Sequence, residues 1–542
     1  MARTIGGGRP IEFDAARPMR IPQIKELVPQ ILTFFHPAKG LDTATRLGYL
    51  DRGSAPVVTN YSIRRGRFET RTPIQAMGTA AASPVMYAAD FVTQSGTVYP
   101  FRLTTTGLDK WDLYSLSWLP VAGVALTGSV TDFFAVTAFG SKLLFSNGID
   151  GLWEYDPLAG TATKIATSAK VPSAKHLTTF NGRVIATNVV DDTGPHPTRI
   201  RWSTKLNETF WDETDQVHIG AGFEDATASP ELETDIARAV FPVTETLALL
   251  ARSRSIWTMT ATGYVDAPFG FSLLFPEMGT DSPYSIDSIP GGGIVGLFRD
   301  NFYVVTTQGP VAVGHPVIDA LLPQISDPGE VFGTYEQIAQ EYRVVIKETG
   351  AVWRYSFRDK GWTKDVYPVV PKSVATTRYK KQSLTIAQLT GTIASLVGTI
   401  EDLGTTDRVH GVYLPSGNTV YREDSTTTSD FGGTPVTTEL RTGLILPESP
   451  LKTVEINEVQ LEYELFALSA TVTVEWSSDG GLSWNSYSTF QLSTTGQVPD
   501  VASVRKTVSA KQLQLRATTQ GVTPVRIVAL HAFVVSGAMR KP

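Results

Sequence analysis

Short runs of alternating apolar and polar residues dominate the chain from about residue 56 onward. Alternation with a period of two puts one face of a strand against a core and the other against water. Turn-forming pairs such as Asn147-Gly148 and Asn181-Gly182 separate the runs, so the pattern predicts repeated antiparallel hairpins. The clearest runs before residue 370 are 97–103, 142–145, 183–186, 247–250, 255–259, 302–305 and 342–346.

This rhythm of short strands favours an all-β chain. The pattern of a long amphipathic helix is absent between residues 56 and 370. Small sheets that repeat every ~40–50 residues predict a β-propeller-like region with about 6–8 antiparallel sheets. We assign this region to residues 56–429. A long array of β-sandwiches is the alternative architecture.

The two ends of the chain differ from this central region. Residues 1–55 show no sustained pattern, and Pro29 interrupts a short helical pattern near Ile24 because proline removes a backbone donor. Residues 430–542 alternate strongly, as in 454–463, which is typical of an antiparallel sandwich. We therefore predict an irregular N-terminal arm and a C-terminal β-sandwich that forms a platform domain.

A different repeat interrupts the central region at residues 381–403. Apolar residues recur there on the core positions of a heptad, but Gly391 and Gly398 fall inside it, and each glycine costs a helix about 1 kcal/mol. The segment is therefore either a short amphipathic helix or coil, or three successive turns. The heptad positions are Ile386, Leu389, Ile393, Leu396, Ile400 and Leu403.

Composition narrows the class of protein. The 542 residues include no cysteine, which excludes disulfides, thiolate nucleophiles and cysteine-based zinc sites. No apolar run approaches the ~18 residues of a membrane span. A formal charge of -6 argues against tight sequence-independent DNA binding, but allows DNA to slide past. We expect a protein without a membrane span that is made in the cytoplasm.

Two segments resemble motifs of sialidases, so a sialidase-like protein is an alternative interpretation. The segment from Ser477 to Trp484 fits the Asp-box pattern, in which Asp479 bonds turn amides and Trp484 packs beneath a hairpin. Met19-Arg20-Ile21-Pro22 resembles the sialidase segment whose arginine holds the sugar carboxylate. We interpret the Asp box as a hairpin stabiliser, because sialidases carry several such boxes and this chain has one, outside the predicted propeller.

Two charged segments are candidate surfaces. No lysine or arginine lies between Lys205 and Arg238, so this stretch could line a conduit and repel DNA, or form a solvated loop. A second segment places Arg64, Arg65, Arg67 and Arg71 around Phe68, where they could contact phosphate or an acidic partner, or lie on an exposed strand. The acidic residues of the first segment are Glu208, Asp212, Glu213, Asp215, Glu224, Asp225, Glu231, Glu233 and Asp235.

No pattern in the chain indicates catalysis. The seven histidines lack a metal-ligand spacing, and neither a P-loop, a dinucleotide glycine fingerprint nor a G-x-S-x-G elbow occurs. We therefore predict a protein that is not an enzyme, with no catalytic residue, no cofactor and no metal.

Several segments in order resemble the propeller-containing tail nozzle and hub proteins of short-tailed bacteriophages. The resemblance covers roughly residues 130–445, and the order and spacing of the segments carry it. Representative segments are Leu144-Phe145-Ser146-Asn147-Gly148, Phe180-Asn181-Gly182-Arg183-Val184, Ser255-Ile256-Trp257, Phe298-Arg299-Asp300-Asn301-Phe302-Tyr303 and Thr438-Glu439-Leu440-Arg441-Thr442-Gly443.

The resemblance implies a structural protein of the virion tail. Such proteins form a ring, most often a homohexamer, below the portal and its adaptor, and tail fibres or spikes dock around it. The ring continues the channel for double-stranded DNA, retains the packaged genome and releases it on infection. The C-terminal platform would face the adaptor. A sialidase-like glycosidase and a carbohydrate-binding receptor-recognition protein are the alternative functions.

Overall fold

The computed structural model describes residues 30–113, 115–166, 170–225, 235–377, 411–449, 452–465, 469–493, 499–521 and 524–536. Within these ranges the chain is built almost entirely from β-strands, which confirms the predicted all-β class. The predicted repeat at 381–403 lies outside the described residues, as does the segment around Arg20.

The strands are numbered in chain order. The first group is β1 (Gln30–Phe34), β2 (Gly40–Leu41), β3 (Ser54–Ala55), β4 (Val58–Thr59), β5 (Tyr61–Arg64), β6 (Arg67–Thr70) and β7 (Ile74–Ala76). The second group is β8 (Val85–Val92), β9 (Val98–Thr104), β10 (Leu108–Asp112), β11 (Ser117–Pro120), β12 (Ala135–Phe139), β13 (Lys142–Ser146), β14 (Trp153–Asp156), β15 (Thr161–Lys164), β16 (Ser173–Phe180), β17 (Arg183–Asp191), β18 (Gly194–Trp202), β19 (Gly222–Asp225), β20 (Ala237–Pro242), β21 (Leu247–Arg252), β22 (Ile256–Ala261), β23 (Phe269–Phe275), β24 (Asp287–Ile289), β25 (Gly293–Leu297), β26 (Phe302–Thr306), β27 (Gly309–Ala312), β28 (Val331–Glu336), β29 (Glu341–Ile346), β30 (Ala351–Ser356), β31 (Gly361–Val366), β32 (Ala375–Thr377), β33 (Gly411–Ser416) and β34 (Thr419–Glu423).

The last group of strands follows the propeller region. It is β35 (Ser429–Asp430), β36 (Thr434–Arg441), β37 (Val454–Leu465), β38 (Ser469–Ser477), β39 (Asn485–Ser493), β40 (Asp500–Ala510), β41 (Gln514–Gly521) and β42 (Val525–Ser536). The helices described are short: α1 (Ile318–Leu321) and 3-10 turns at Pro283–Ser285, Leu322–Gln324, Pro328–Glu330 and Phe431–Gly433.

Seven four-stranded antiparallel units form the centre of the molecule, and we call them blades 1 to 7. Blades 1 to 6 are β8–β11, β12–β15, β16–β19, β20–β23, β24–β27 and β28–β31, each in chain order. The first strand of every blade, or the residue just before it, lines one common axial cavity. The centre is therefore a propeller, and its blade number falls within the predicted range.

Blade 7 is completed by a strand from the start of the chain. β7 pairs antiparallel with β34, so that the order is β32-β33-β34-β7, with Ile74 opposite Glu423 and Ala76 opposite Tyr421. The Ile74 amide donates to Asp430 Oδ1 at 2.9 Å. Chain segments from both ends of the propeller thus close its ring.

The turns that the sequence indicates shape the blades locally. Asn181 and Gly182 connect β16 to β17 with φ values of 50° and 70°. Two successive residues with positive φ form the type I′ turn, whose twist matches that of the flanking strands. Phe180 and Arg183 consequently face each other across the hairpin.

The C-terminal strands form two sheets that face each other across one core. The first sheet has the order β40-β37-β42-β6-β5, and β1 pairs with β42. The second runs β4-β36-β41-β38-β39, and β4 also pairs parallel to β31 of blade 6. One ten-stranded sheet therefore extends from the propeller into the sandwich.

A single hydrophobic core joins the propeller to the sandwich. It contains Phe302 and Val344 of blades 5 and 6, α1, and Leu461 and Leu515 of the two sandwich sheets. Trp362 is buried within it and donates its indole N–H to the Val313 carbonyl at 2.7 Å.

The N-terminal segments differ from the predicted boundaries. The arm predicted as irregular over 1–55 contains β1, and β4 to β6 belong to the sandwich rather than to a propeller that begins at residue 56. The physical reason is burial and long-range pairing: Tyr61, Ile63 and Phe68 fill the shared core, while β4 pairs with β36 and β6 pairs with β42, strands more than 350 residues away. A sequence pattern shows that a strand forms, but not where it pairs.

Candidate functional site

A cleft of about 800 Å³ lies between the turns of blade 6, the outer strands of blade 7 and the sandwich. Its lining is strongly basic, with seven arginines against four carboxylates. The arginines are Arg64, Arg65, Arg67, Arg343, Arg358, Arg422 and Arg526. The carboxylates are Glu336, Asp359, Glu423 and Asp424. We call this feature the arginine cleft.

The β5–β6 hairpin brings the predicted arginine segment to the cleft. Arg65 and Gly66 form its turn with φ values of 56° and 71°, which places Arg64 and Arg67 opposite each other at the ends of the two strands. The Gly66 amide donates to Asp359 Oδ1 of the β30–β31 turn at 2.9 Å. This bond fixes the tip of the sandwich hairpin against blade 6.

Three of the seven arginines are neutralised by close carboxylates. Arg67 pairs with Glu464, and Arg526 bonds Glu69 at 2.6 Å and Glu464 at 2.5 Å. Arg343 bonds Glu423 at 2.6 Å.

The charges of the other four guanidinium groups are balanced by a distant carboxylate or by none in the described residues. Arg64 lies 3.7 Å from the Glu69 carboxylate and is about half exposed. Arg65, Arg358 and Arg422 make no side-chain hydrogen bond or ion pair with any residue in the described ranges. The positive charge of the cleft therefore concentrates on these four side chains.

The floor of the cleft is a buried ion network in blades 6 and 7. Glu423 Oε1 accepts from Arg343 at 2.6 Å and from Arg354 at 3.1 Å, and Glu341 lies 3.2 Å from Arg343. Arg354 also pairs with Asp365. Burial alone raises the pKa of Glu423, but the two guanidinium groups outweigh it and hold that pKa below its usual value.

Arg343 and Arg354 were missed at the level of sequence, although a signal for them exists. Each interrupts an apolar strand, β29 or β30, and the two residues lie opposite each other in the register. Both are almost completely buried, and the Arg343 Nε has no hydrogen-bond partner among the described residues. A buried arginine in a strand needs a carboxylate, and Glu423 follows on the neighbouring blade.

The predicted arginine group divides between two environments. Arg64, Arg65 and Arg67 line the cleft, whereas Arg71 is buried and bonds Asp430 through both terminal nitrogens, Nη1 to Oδ1 at 2.8 Å. Arg71 also lies 4.2 Å from the centre of the Tyr367 ring. Phe68 points into the shared core. Arg71 is thus a structural residue that ties the connection between β6 and β7 to β35.

The predicted acidic residues lie mostly at the outer edge of blade 3. Six of them occupy β19 or the connection before it, Asp235 precedes β20, and none of these seven lines the axial cavity. Glu231 and Glu233 lie outside the described residues.

Most of the described acidic residues have close partners. Glu208 bonds Lys142 at 2.7 Å, and Asp212 and Glu213 bond Lys170 at 3.2 and 2.7 Å. Asp215 bonds His218 at 2.8 Å, and Asp225 bonds Arg199 at 2.7 Å. Asp235 accepts from the Arg254 amide at 2.7 Å, and burial raises the pKa of Glu224. The bases lie outside the acidic run, apart from His218, which explains why the run looked uncompensated.

The axial cavity has a different lining. It measures about 280 Å³ and is bordered by Tyr87, His176, Phe241, Tyr284 and Phe332 among others. Tyr284 and Phe332 stack with ring centres 5.2 Å apart, and His176 lies 5.5 Å from Phe241. Burial lowers the pKa of His176 to about 4.

The Asp box forms the turn between β38 and β39. Asp479 accepts from the amides of Leu482 and Ser483 at 3.0 Å each and from Ser477 Oγ at 2.6 Å, and these bonds hold its pKa well below the usual value. Trp484 lies near the guanidinium groups of Arg441 and Arg516. These contacts lie within the turn or join it to β36 and β41.

The described residues contain no group of three or more side chains that could hold a metal ion. None of the helices in the described part of the chain has the length and apolar character needed to cross a membrane.

Comparisons with known proteins concern the fold. No protein-family model and no curated protein matches the chain. The extracellular domain of BT3049 from B. thetaiotaomicron, described as a hybrid two-component system, is 8% identical with a TM-score of 0.37, over 65% of this chain and 42% of that one. YCF48 from Cyanidioschyzon merolae is 11% identical with a TM-score of 0.37, over 65% of this chain and 99% of that one. The chain thus spans less than half of the first structure, and neither likeness bears on function.

Proposed function

We propose that this chain is a structural protein of a short-tailed phage virion that forms the nozzle or hub ring of the tail. In this role it continues the DNA channel below the portal and adaptor, retains the packaged genome and releases it on infection. It performs no catalysis. The resemblance over residues 130–445 supports this proposal, because its representative segments fall in blades 2 to 5 and in β36.

The continuous connection between propeller and sandwich is the single observation that carries the proposal. β31 pairs with β4 and β4 with β36, so backbone hydrogen bonds run without a break from blade 6 into the platform. The shared core covers the same junction. A subunit that holds back a packaged genome bears a lasting load, and a junction without a flexible linker transmits that load.

The path of DNA in this proposal lies between subunits. The axial cavity of about 280 Å³ is bordered by aromatic rings. A duplex, whose major groove alone is about 12 Å wide, does not fit through it. The lumen must therefore be enclosed by several copies, in agreement with the homohexamer that the resemblance implies.

Exposed apolar side chains on blades 3 and 4 support contacts between copies. Val217 and Tyr264 are 80% and 75% exposed, and Ile219 and Val265 are about half exposed. The loops that carry them adjoin, because a Cβ at Gly220 would lie 2.9 Å from the Val265 carbonyl. Apolar groups that cluster on a surface mark contacts with other molecules.

Two measurements test the proposed function. Electron microscopy and mass photometry of the purified full chain should show a ring with about six times the mass of one chain. Val217→Asp with Tyr264→Asp should release monomers, whereas Leu482→Asp, on the exposed Asp-box turn, should leave the ring intact. Mass spectrometry of purified phage particles should detect the chain. A protein that stays monomeric and is missing from particles contradicts the proposal.

A further inference from the structure

We infer that the arginine cleft is a binding site for a chain of phosphate groups. The ligand class is a linear polyanion with neighbouring phosphates, either a free polyphosphate or the backbone of a nucleic acid. This inference is independent of the proposed ring, because one chain supplies every residue of the cleft.

Charge provides the first argument. Arg64, Arg65, Arg358 and Arg422 converge on one cleft, and Arg64 alone among them has a carboxylate within 4.0 Å in the described residues. Like charges around a shared space repel each other, and the repulsion is relieved when an anion enters. Seven arginines against four carboxylates leave a formal charge of +3 on the lining, which a run of phosphates can balance and a single carboxylate cannot.

The donors of the cleft provide the second argument. Guanidinium groups bond phosphate oxygens in pairs, and Thr72, Ser425 and Thr426 add hydroxyl groups to the lining. Ile63, Ile338 and Ala339 are the apolar residues of the lining, so a peptide would find few anchors for its side chains. Within the described residues no aromatic ring lines the cleft, which favours recognition of phosphates over stacking of bases.

Rigidity provides the third argument. The Gly66–Asp359 bond holds the hairpin that carries Arg64 and Arg65. Arg343 on the floor is about 97% buried on its side chain and fixed by Glu423, and its Nε has no partner in the described part of the chain. The volume of about 800 Å³ lies within the range of small-molecule sites, roughly 300–1,000 Å³. A site held in place before binding loses little conformational entropy when its ligand arrives.

Calorimetric titration of the full chain with sodium tripolyphosphate and with a short DNA duplex tests the inference. Both titrations are carried out at salt concentrations between about 50 and 200 mM, because phosphate contacts weaken as the salt concentration rises. Arg65→Gln with Arg358→Gln should weaken binding about tenfold and lower the salt slope by about 2, roughly 1 for each lost contact. Arg422→Gln should add a further loss. Tighter binding of the duplex identifies a nucleic-acid backbone, and tighter binding of tripolyphosphate identifies a free polyphosphate.

A matched variant controls for overall charge. Arg254→Gln with Arg505→Gln also removes two exposed arginines, on blade 4 and on β40, and neither lines the cleft. It should retain the affinity of the unmodified chain. An equal loss in both double variants, or no binding of either probe at low salt, overturns the inference. Stronger binding of a glutamate-rich peptide overturns it in favour of an acidic protein partner. Mass photometry of the same samples reports the ring separately.

Discussion

The axial cavity and the arginine cleft are both bordered by propeller blades, but in the described part of the chain eleven charged side chains line the cleft and only one, Asp287, borders the cavity. Rings such as Tyr284 and Phe332 border the cavity, whereas seven arginines and four carboxylates line the cleft. At the cavity, burial of apolar side chains stabilises the molecule. At the cleft floor, each buried charge needs its partner, because removing one leaves the other uncompensated. The difference teaches that the binding capacity of this propeller lies at its junction with the sandwich rather than on its axis.

The largest effect should follow from removing the carboxylate that neutralises the cleft floor. Glu423→Gln leaves Arg343 and Arg354 without their shared partner, and breaking a buried ion pair from one side costs about 3–5 kcal/mol. Urea unfolding measures this loss. The neighbouring Asp424→Asn is the control, because Asp424 bonds Thr426 within its own turn and should cost below about 1 kcal/mol. Equal losses would show that the floor is not held by its charges.

Acid should act on the axial cavity through His176. The pKa of His176 is about 4 in the native chain and about 6.5 in the unfolded chain. Between these pH values the unfolded chain binds a proton that the native chain does not bind. The contribution of neutral His176 to the free energy of unfolding is fully present above about pH 6.5. It falls by up to about 1.4 kcal/mol per pH unit between pH 6.5 and 4, about 3 kcal/mol in all.

His176→Phe keeps a ring beside Phe241 and removes the titrating group. Unfolding curves across this pH range should therefore be flatter for the variant than for the unmodified chain. His196→Phe, at a part-exposed histidine of blade 3, serves as the control. Parallel curves for His176→Phe and the unmodified chain would contradict the assignment.

A smaller loss should follow from removing one ring of the axial cavity. Phe332 contacts Phe133 at 4.8 Å and Tyr284 at 5.2 Å between ring centres. Phe332→Leu keeps an apolar side chain but loses both ring contacts, which should cost about 1–2 kcal/mol. Thermal unfolding measures the change. Phe431→Leu, at a partly exposed phenylalanine, should shift the midpoint less, and a reversed order would argue against tight packing along the axis.

The smallest effect should come from an exposed arginine of the cleft lining. Arg358→Gln removes an exposed charge without a partner in the described residues, so the free energy of unfolding should change by at most about 0.5 kcal/mol. Removing a repulsive charge favours a slight gain, which high salt should abolish. A loss above about 1 kcal/mol in urea unfolding would mean that Arg358 is structural. The exposed arginines and the buried ion network of the cleft would then no longer differ in their contribution to stability.

Local features of the sequence predicted the propeller well. Strand alternation and turns such as Asn181-Gly182 act between residues that are close in sequence, so they indicate each hairpin directly. The closing strand β7 was not predicted, since three residues after Pro73 carry too little pattern to identify a strand. Its pairing with β34 depends on a segment far along the chain.

The site could be predicted only in part for the same reason. The arginine segment at 64–71 is visible in the sequence, but the burial of Arg71 depends on Asp430, and the exposure of Arg65 depends on a turn that faces blade 6. The acidic run looked free because Lys142, Lys170 and Arg199 lie upstream of it. Charge patterns along a chain thus identify candidates, while long-range pairing decides which of them stay available.

The pairing of β6 with β42 can form only late in the synthesis of the chain. Phe68 finds its partner Ile527 only after the ribosome has added the intervening residues, which takes roughly half a minute to a minute and a half at about 5–20 residues per second. During that time the early strands present unpaired edges. A nascent chain of this kind should depend on chaperones until its last strand emerges, and truncation near the C-terminus should release the first strands as well as the last.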